Sequence, residues 1–157
     1  MKGLVAYHSK YGNGKIIAEA IGGGLAGADH TVTVIDVSKP VVGDFDFVVV
    51  GSPTRAGRMM GPVKRFIGRE LEKESWKGKP FVAVGTGFKP EGTGKKTDQW
   101  GARSAEKVYE ALEKAGLKPL MGPQKFFVSD MKGPLEEGEQ QRAAELGLSA
   151  GKTLSEA

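Results

Sequence analysis

Gly3-Leu4-Val5-Ala6-Tyr7-His8-Ser9-Lys10-Tyr11-Gly12-Asn13-Gly14-Lys15 is the stretch on which the fold turns. Gly3 to Tyr7 is a short apolar run of strand length. His8 to Gly14 is polar and carries two glycines. From Lys15 to Leu25, the residues Ile16, Ile17, Ala20, Ile21 and Leu25 recur at helical spacing, in a run closed by glycines. A buried strand that turns through glycines into an amphipathic helix is the opening of a βαβ unit.

Working outward, the same alternation repeats. Thr31 to Val37 is rich in β-branched residues and reads as a second strand. Phe45 to Val50 is a continuous apolar strand of the kind found inside parallel sheets. The connection between them, Ser38 to Asp44, has room for one helical turn but not for a full helix. Ser52 to Gly61 reads as a loop. Pro62 suits the first turn of a helix whose Val63, Phe66, Ile67 and Leu71 share a face. Pro80 to Val84 is a fourth strand, and Gly85 to Gly94 a glycine-rich loop. Ala102 to Ala115 is a helix with Ala105, Val108, Tyr109 and Leu112 inward, ended by Gly116. Phe126 to Val128 is the centre of a fifth strand, and Glu136 to Leu154 a final amphipathic helix. Strands alternating with helices predict an α/β sandwich of three layers, its parallel sheet covered on both faces. No linker or repeat divides the chain, so residues 1–157 are expected to form a single domain.

Composition narrows the function. With 39% hydrophobic and 27% charged residues, the chain is of the ordinary globular class. No apolar run approaches the roughly 20 residues of a membrane span. The apolar stretch near the N-terminus, Leu4 to Tyr7, is too short for a signal-peptide core, so a cytoplasmic location is expected. There is no cysteine. That excludes disulfides, thiolate catalysis, cysteine-ligated iron–sulfur clusters and typical structural zinc sites. Redox chemistry here would need a bound organic cofactor. His8 and His30 form no metal motif. The net charge of +4 comes from cations spread among nearly as many carboxylates, which argues against a nucleic-acid site.

Ligands of open parallel sheets sit at the carboxyl ends of the strands, near the switch in strand order. The three loops there are the three of unusual composition. In the first, Gly12 and Gly14 let the backbone gather N–H groups at a helix N-terminus, an anion site to which Ser9 and Asn13 add side-chain hydrogen bonds. It lacks both the Gly-Lys-Ser/Thr of a Walker loop and the Gly-x-Gly-x-x-Gly dinucleotide fingerprint. In the second, Gly51 to Gly61, Gly57 can take positive φ, and Thr54 and Arg55 supply polar contacts. Met59 and Met60 suit the core. The third, Gly85 to Gly94, is a wall for a planar ligand, with Phe88 or Trp100 to stack on a ring.

Tyr7 to Lys15 resembles the phosphate loop of flavodoxins. Ser52-Pro53-Thr54-Arg55-Ala56-Gly57-Arg58-Met59 resembles their second flavin loop, in the version of the tryptophan-repressor-binding-protein-type NAD(P)H:quinone reductases, which share the fold. The resemblance implies a flavodoxin-like, doubly wound fold with a five-stranded parallel sheet in the order 2-1-3-4-5, and FMN as cofactor. By position, Ser9, Lys10, Tyr11, Gly12, Asn13 and Gly14 would surround the phosphate. Ser52, Pro53, Thr54, Arg55, Ala56 and Gly57 would line one side of the flavin, and Gly85, Thr86, Gly87 and Phe88 the other. The span from Pro119 to Asp130 is too short for the insertion that marks long-chain flavodoxins, so the chain resembles the short-chain type. It departs from the family pattern at Lys10, Tyr11 and Gly14, where hydroxyl residues are common, and at Arg55 and Ala56, where an aromatic often stands. It is also basic where flavodoxins are typically acidic.

The implied function is a soluble electron-transfer protein. Its partner would be an acidic redox protein, ferredoxin-like or an iron–sulfur enzyme, with no nucleic acid and no membrane span. The alternative is an FMN-dependent NAD(P)H:quinone or small-molecule oxidoreductase. A third reading is an interaction module without FMN. A response-regulator receiver shares the strand order but needs an Asp where the third strand ends Val50-Gly51-Ser52.

Overall fold

The structure, a computed structural model, describes residues 1–89, 101–130 and 132–156. In chain order it runs β1 (Lys2–Tyr7), α1 (Asn13–Gly27), β2 (Thr31–Asp36), β3 (Phe47–Arg55), β4 (Arg58–Met59) and α2 (Gly61–Phe66). It continues with β5 (Pro80–Phe88), α3 (Ser104–Lys114), β6 (Lys118–Pro119), β7 (Gln124–Val128) and α4 (Glu139–Ser155). A π-helical turn, Ile67–Leu71, extends α2. Between β2 and β3 the chain turns without a helix.

The apolar run in β3 places this strand at the centre. β1 pairs with it in parallel on one side and β5 on the other, and β2 flanks β1. Successive side chains of a strand point to opposite faces. Val48 and Val50, with Leu4, Ala6, Phe81 and Ala83, therefore pack on Val63, Phe66, Val108 and Leu112 of α2 and α3. Val49, with Val5, Val82, Val84 and Phe126, packs on Ile17, Ile21, Leu25, Ala143, Ala150 and Leu154 of α1 and α4. The result is the expected doubly wound, three-layer sandwich.

The fifth position of the sheet differs from a single strand. β6 pairs Pro80↔Lys118 and Phe81↔Pro119, while β7 pairs Val84↔Gln124 through Phe88↔Val128. The pairing offset grows by two residues between these segments, and the chain steps out of the ladder at 120–123.

Several boundaries also move. α1 extends beyond the predicted 15–25 to Asn13 and Gly27, and Gly22, Gly23 and Gly24 lie inside it. The glycines do not end the helix because Gly24 is a packing position. A Cβ there would lie 2.1 Å from the Ala144 carbonyl oxygen of α4, and one at Gly147 would lie 2.1 Å from that of Ile21. The two helices thus touch backbone to backbone.

Candidate functional site

The carboxyl ends of β1, β3 and β5 surround a cleft of about 490 Å³, within the usual range of small-molecule sites. Ser9, Lys10, Tyr11, Asn13, Gly14, Pro53, Thr54, Arg55, Ala56, Thr86, Gly87 and Phe88 line it, joined by Met60 and Val128. Gly12, Ser52, Gly57 and Gly85, predicted for the same site, are not among its lining residues. Trp100 lies outside the described residues.

The first loop is built around a helix N-terminus. Gly12 caps α1 at φ +93°, in the left-handed region that favours glycine, and no side chain caps the helix. Ser9 Oγ accepts the Gly12 N–H at 2.9 Å and so folds the loop over the helix end. The first-turn N–H groups have no intrahelical acceptor, and they carry the positive end of the helix dipole. Asn13 and Gly14 bring that end to the cleft. Lys10 Nζ lies 5.4 Å from the Tyr11 ring centroid, and both side chains are exposed.

The second segment is a hairpin rather than a loop. β3 continues to Arg55, turns at Ala56 (φ +51°) and Gly57 (φ +75°), and returns as β4, pairing Thr54↔Met59 and Arg55↔Arg58. Two consecutive positive φ values are the signature of the tight turn whose twist matches an antiparallel pair. Ser52 secures its base: its hydroxyl donates to the Pro53 carbonyl at 2.8 Å and accepts the Met60 N–H at 2.9 Å. Thr54 secures its stem. Its Oγ1 donates to Ser104 Oγ at 2.7 Å, and Ser104 Oγ donates to the Ser52 carbonyl at 2.8 Å. Ser104 is fully buried and opens α3, so α3 and the hairpin are locked together.

The third segment also begins as strand, since β5 runs to Phe88. At Gly85 a Cβ would meet the Ala105 nitrogen at 2.4 Å, and at Gly87 the Ala102 nitrogen at 2.5 Å, so these glycines admit the chain entering α3. Thr86 is 6% exposed and lines the cleft. Tyr11 and Phe88, each about two-fifths exposed, border the opening.

Behind the cleft, an ion pair between Glu139 and Arg142 braces β7. The buried Glu139 carboxylate accepts the Phe127 N–H at 2.8 Å. It also takes two hydrogen bonds from Arg142, at 2.8 Å and 2.7 Å. Arg142 donates as well to the Lys125 carbonyl and lies 4.3 Å from the Phe126 ring centroid. The Arg142 guanidinium holds the Glu139 carboxyl below its ordinary pKa, against the opposing effect of burial.

Sequence reasoning missed Met60, Val128 and Ser104. Met60 was assigned to the core, and Val128 was read as strand alone. Ser104 carried the weak signal of a hydroxyl residue near the start of a predicted helix. Among the described residues no cluster of His, Asp and Glu could hold a metal, and no helix is long and apolar enough to cross a membrane.

The fold is similar to that of solved flavodoxins. A flavodoxin from the domain Archaea is 22% identical, with 99% of each chain covered and a TM-score of 0.81. Flavodoxin 1 from Bacillus cereus is 16% identical over 97% of this chain and 98% of that one, with a TM-score of 0.76. A short-chain flavodoxin associated with a PDU bacterial microcompartment is 23% identical over 98% of each chain, with a TM-score of 0.71. The profile of the flavodoxin domain matches residues 4–154, nearly the whole length, and the chain belongs to the flavodoxin family.

Proposed function

We propose that the protein binds one FMN in this cleft and works as a soluble, cytoplasmic electron carrier. The observation that carries the reading is the pairing of two unlike ends in one cavity. One end is an uncapped helix N-terminus under the Ser9–Gly14 loop, suited to a phosphate. The other is a space bordered by the exposed rings of Tyr11 and Phe88, suited to a planar ring system. Thr86, buried and lining the cleft, is placed to meet a polar group of the ligand.

In this reading Ser9, Asn13 and the first-turn N–H groups hold the phosphate. Gly14 keeps the loop close to the helix, because a Cβ there would lie 3.0 Å from the His8 carbonyl oxygen. Thr54, Arg55 and Ala56 form one wall, and Thr86, Gly87 and Phe88 the other. The bound flavin supplies one- or two-electron transfer, and the protein supplies binding, orientation and charge. Among the described residues, the charged ones lining the cleft, Lys10 and Arg55, are both cationic, which favours the uptake of electrons by Coulomb attraction. The partner is a redox protein of acidic surface, ferredoxin-like or an iron–sulfur enzyme.

The test is an absorption spectrum of the purified protein, followed by denaturation and identification of the released chromophore. Flavin bands and free FMN are expected. An apoprotein that takes up no FMN on titration would overturn the reading. NADPH added to the loaded protein should leave the flavin oxidised, whereas direct reduction would support the quinone-reductase reading in its place.

A further inference from the structure

The hairpin that walls the cleft joins two like charges. Arg55 and Arg58 stand directly opposite each other across β3 and β4, and both are exposed. Like charges in that register destabilise a strand pair. The arrangement is extended rather than relieved by its surroundings. From Phe47 to Arg69 the chain carries Arg55, Arg58, Lys64, Arg65 and Arg69 and no Asp or Glu. A Cβ at Gly61 would lie 3.1 Å from Arg65 Nη1, so that guanidinium sits against the base of the hairpin. Among the described residues, Arg55, Arg58, Lys64 and Arg65 have no carboxylate partner.

The β7 side is different. There Lys125 pairs with Glu106 at 2.5 Å and Arg142 with Glu139 at 2.7 Å. Among the described residues, Arg55, Arg58, Lys64 and Arg65 thus gather four exposed cations without an ion pair on the hairpin side of the cleft. A lone nucleotide phosphate would engage the tip, but it would not account for the continuation of the patch along α2 through Lys64 and Arg65. An extended carboxylate-rich surface meets all of it.

We propose that Arg55 and Arg58 at the tip, with Lys64 and Arg65 behind them, are the docking surface for the acidic face of a redox protein. That partner approaches over the hairpin rather than over β7. The inference rests on the electron-carrier reading and adds where, and with what polarity, the partner sits. Arg55 then serves two sides at once, lining the cleft and meeting the partner, so docking closes over the cofactor edge.

The test uses the FMN-loaded protein and an acidic plant-type ferredoxin as probe. Electron-transfer rates are followed as ionic strength rises. The double variant Arg58→Glu/Lys64→Glu is compared with Lys89→Glu/Lys118→Glu, which changes the net charge equally but away from the hairpin. The wild-type rate should fall steeply with salt. The hairpin variant should be slower by about tenfold at low salt with a flattened salt profile, and the control should stay within about twofold of wild type. Equal loss in both variants, or none in the hairpin variant, overturns the proposal. Calorimetric titration of the same proteins with the ferredoxin reads docking without any flavin. Flavin absorbance, read separately, decides the cofactor assignment. A preparation without FMN whose ferredoxin binding is lost only in the hairpin variant would overturn the carrier function and uphold the surface. One that keeps FMN but binds equally well in all variants would do the reverse.

Discussion

Thr54 and Ser104 exchange two hydrogen bonds: Thr54 Oγ1 donates to Ser104 Oγ at 2.7 Å, and the Ser104 N–H donates to Thr54 Oγ1 at 3.1 Å. The same Ser104 hydroxyl reaches on to the Ser52 carbonyl. Ser104→Ala leaves that buried carbonyl without its hydroxyl donor, at about 1–3 kcal/mol. Urea unfolding should show a lower midpoint with an unchanged slope. Because the hairpin is held by this contact, FMN affinity should fall as well. Loss of stability with full affinity would mean that Ser104 does not position the hairpin.

Ser9→Ala removes the acceptor of the Gly12 N–H and a candidate phosphate ligand. A hydrogen bond to a charged group contributes about 1.5–3 kcal/mol, which corresponds to about tenfold or more in affinity. Apoprotein titrated with FMN should show that loss, and riboflavin, which has no phosphate, should bind almost as before. An equal loss for both ligands would remove Ser9 from the phosphate site.

Glu139 links stability to acid. Its folded pKa is depressed below the ordinary 4.5 by the Arg142 hydrogen bonds, so the native state favours the charged carboxylate. A depressed carboxyl contributes stability that is present above its unfolded pKa and is lost as pH falls through the folded value. Arg142, with its pKa raised, stays charged throughout this window. Stability measured from pH 7 downward should therefore show the wild type losing its advantage over Glu139→Gln below about pH 4.5. A difference that stays constant down to pH 3 would show that the pair does not act through its charge.

Two glycines should respond in opposite directions to the same change. Gly147→Ala puts a methyl 2.1 Å from the Ile21 carbonyl oxygen and 3.1 Å from Gly24 Cα, so α1 and α4 must separate. Overpacking of this kind costs about 1–3 kcal/mol. At Gly23 a Cβ meets nothing within 4 Å. Gly23→Ala should therefore stabilise α1 by about 0.5–1 kcal/mol through helix propensity. Thermal melts of both variants check the pair.

The elements that were legible in sequence are those whose cause is local. Phe47 to Val50 reads as a buried strand because every residue is apolar. The face of Val63, Phe66, Ile67 and Leu71 reads as a helix from spacing, and all four are buried. The loop between β1 and α1 was legible because Gly12, Asn13 and Gly14 announce a turn into a helix. Elements whose cause lies far along the chain were not. Ser52 to Arg55 and Gly85 to Phe88 were read as loops for their Gly, Pro and hydroxyl content, yet Ser52 and Pro53 pair with Gly85 and Thr86, Thr54 and Arg55 pair with β4, and Gly87 and Phe88 pair with β7. Gly24 seemed a terminator because its partner, Gly147, belongs to another helix. Ser104 was invisible as a support of the site because Thr54 is fifty residues away.

The interruption between β6 and β7 has a consequence for how this chain can change in length. A shift of one residue in a strand turns every side chain to the opposite face, whereas a shift of two restores each to its own. The offset here is two, so Phe126 still enters the layer beneath α1 and α4. Residues 120–123 thus act as an expansion joint: the chain can lengthen there and leave the parity of β7 intact. A single residue added inside Gln124–Val128 would instead turn Phe126 out of the core and take Val128 from the cleft.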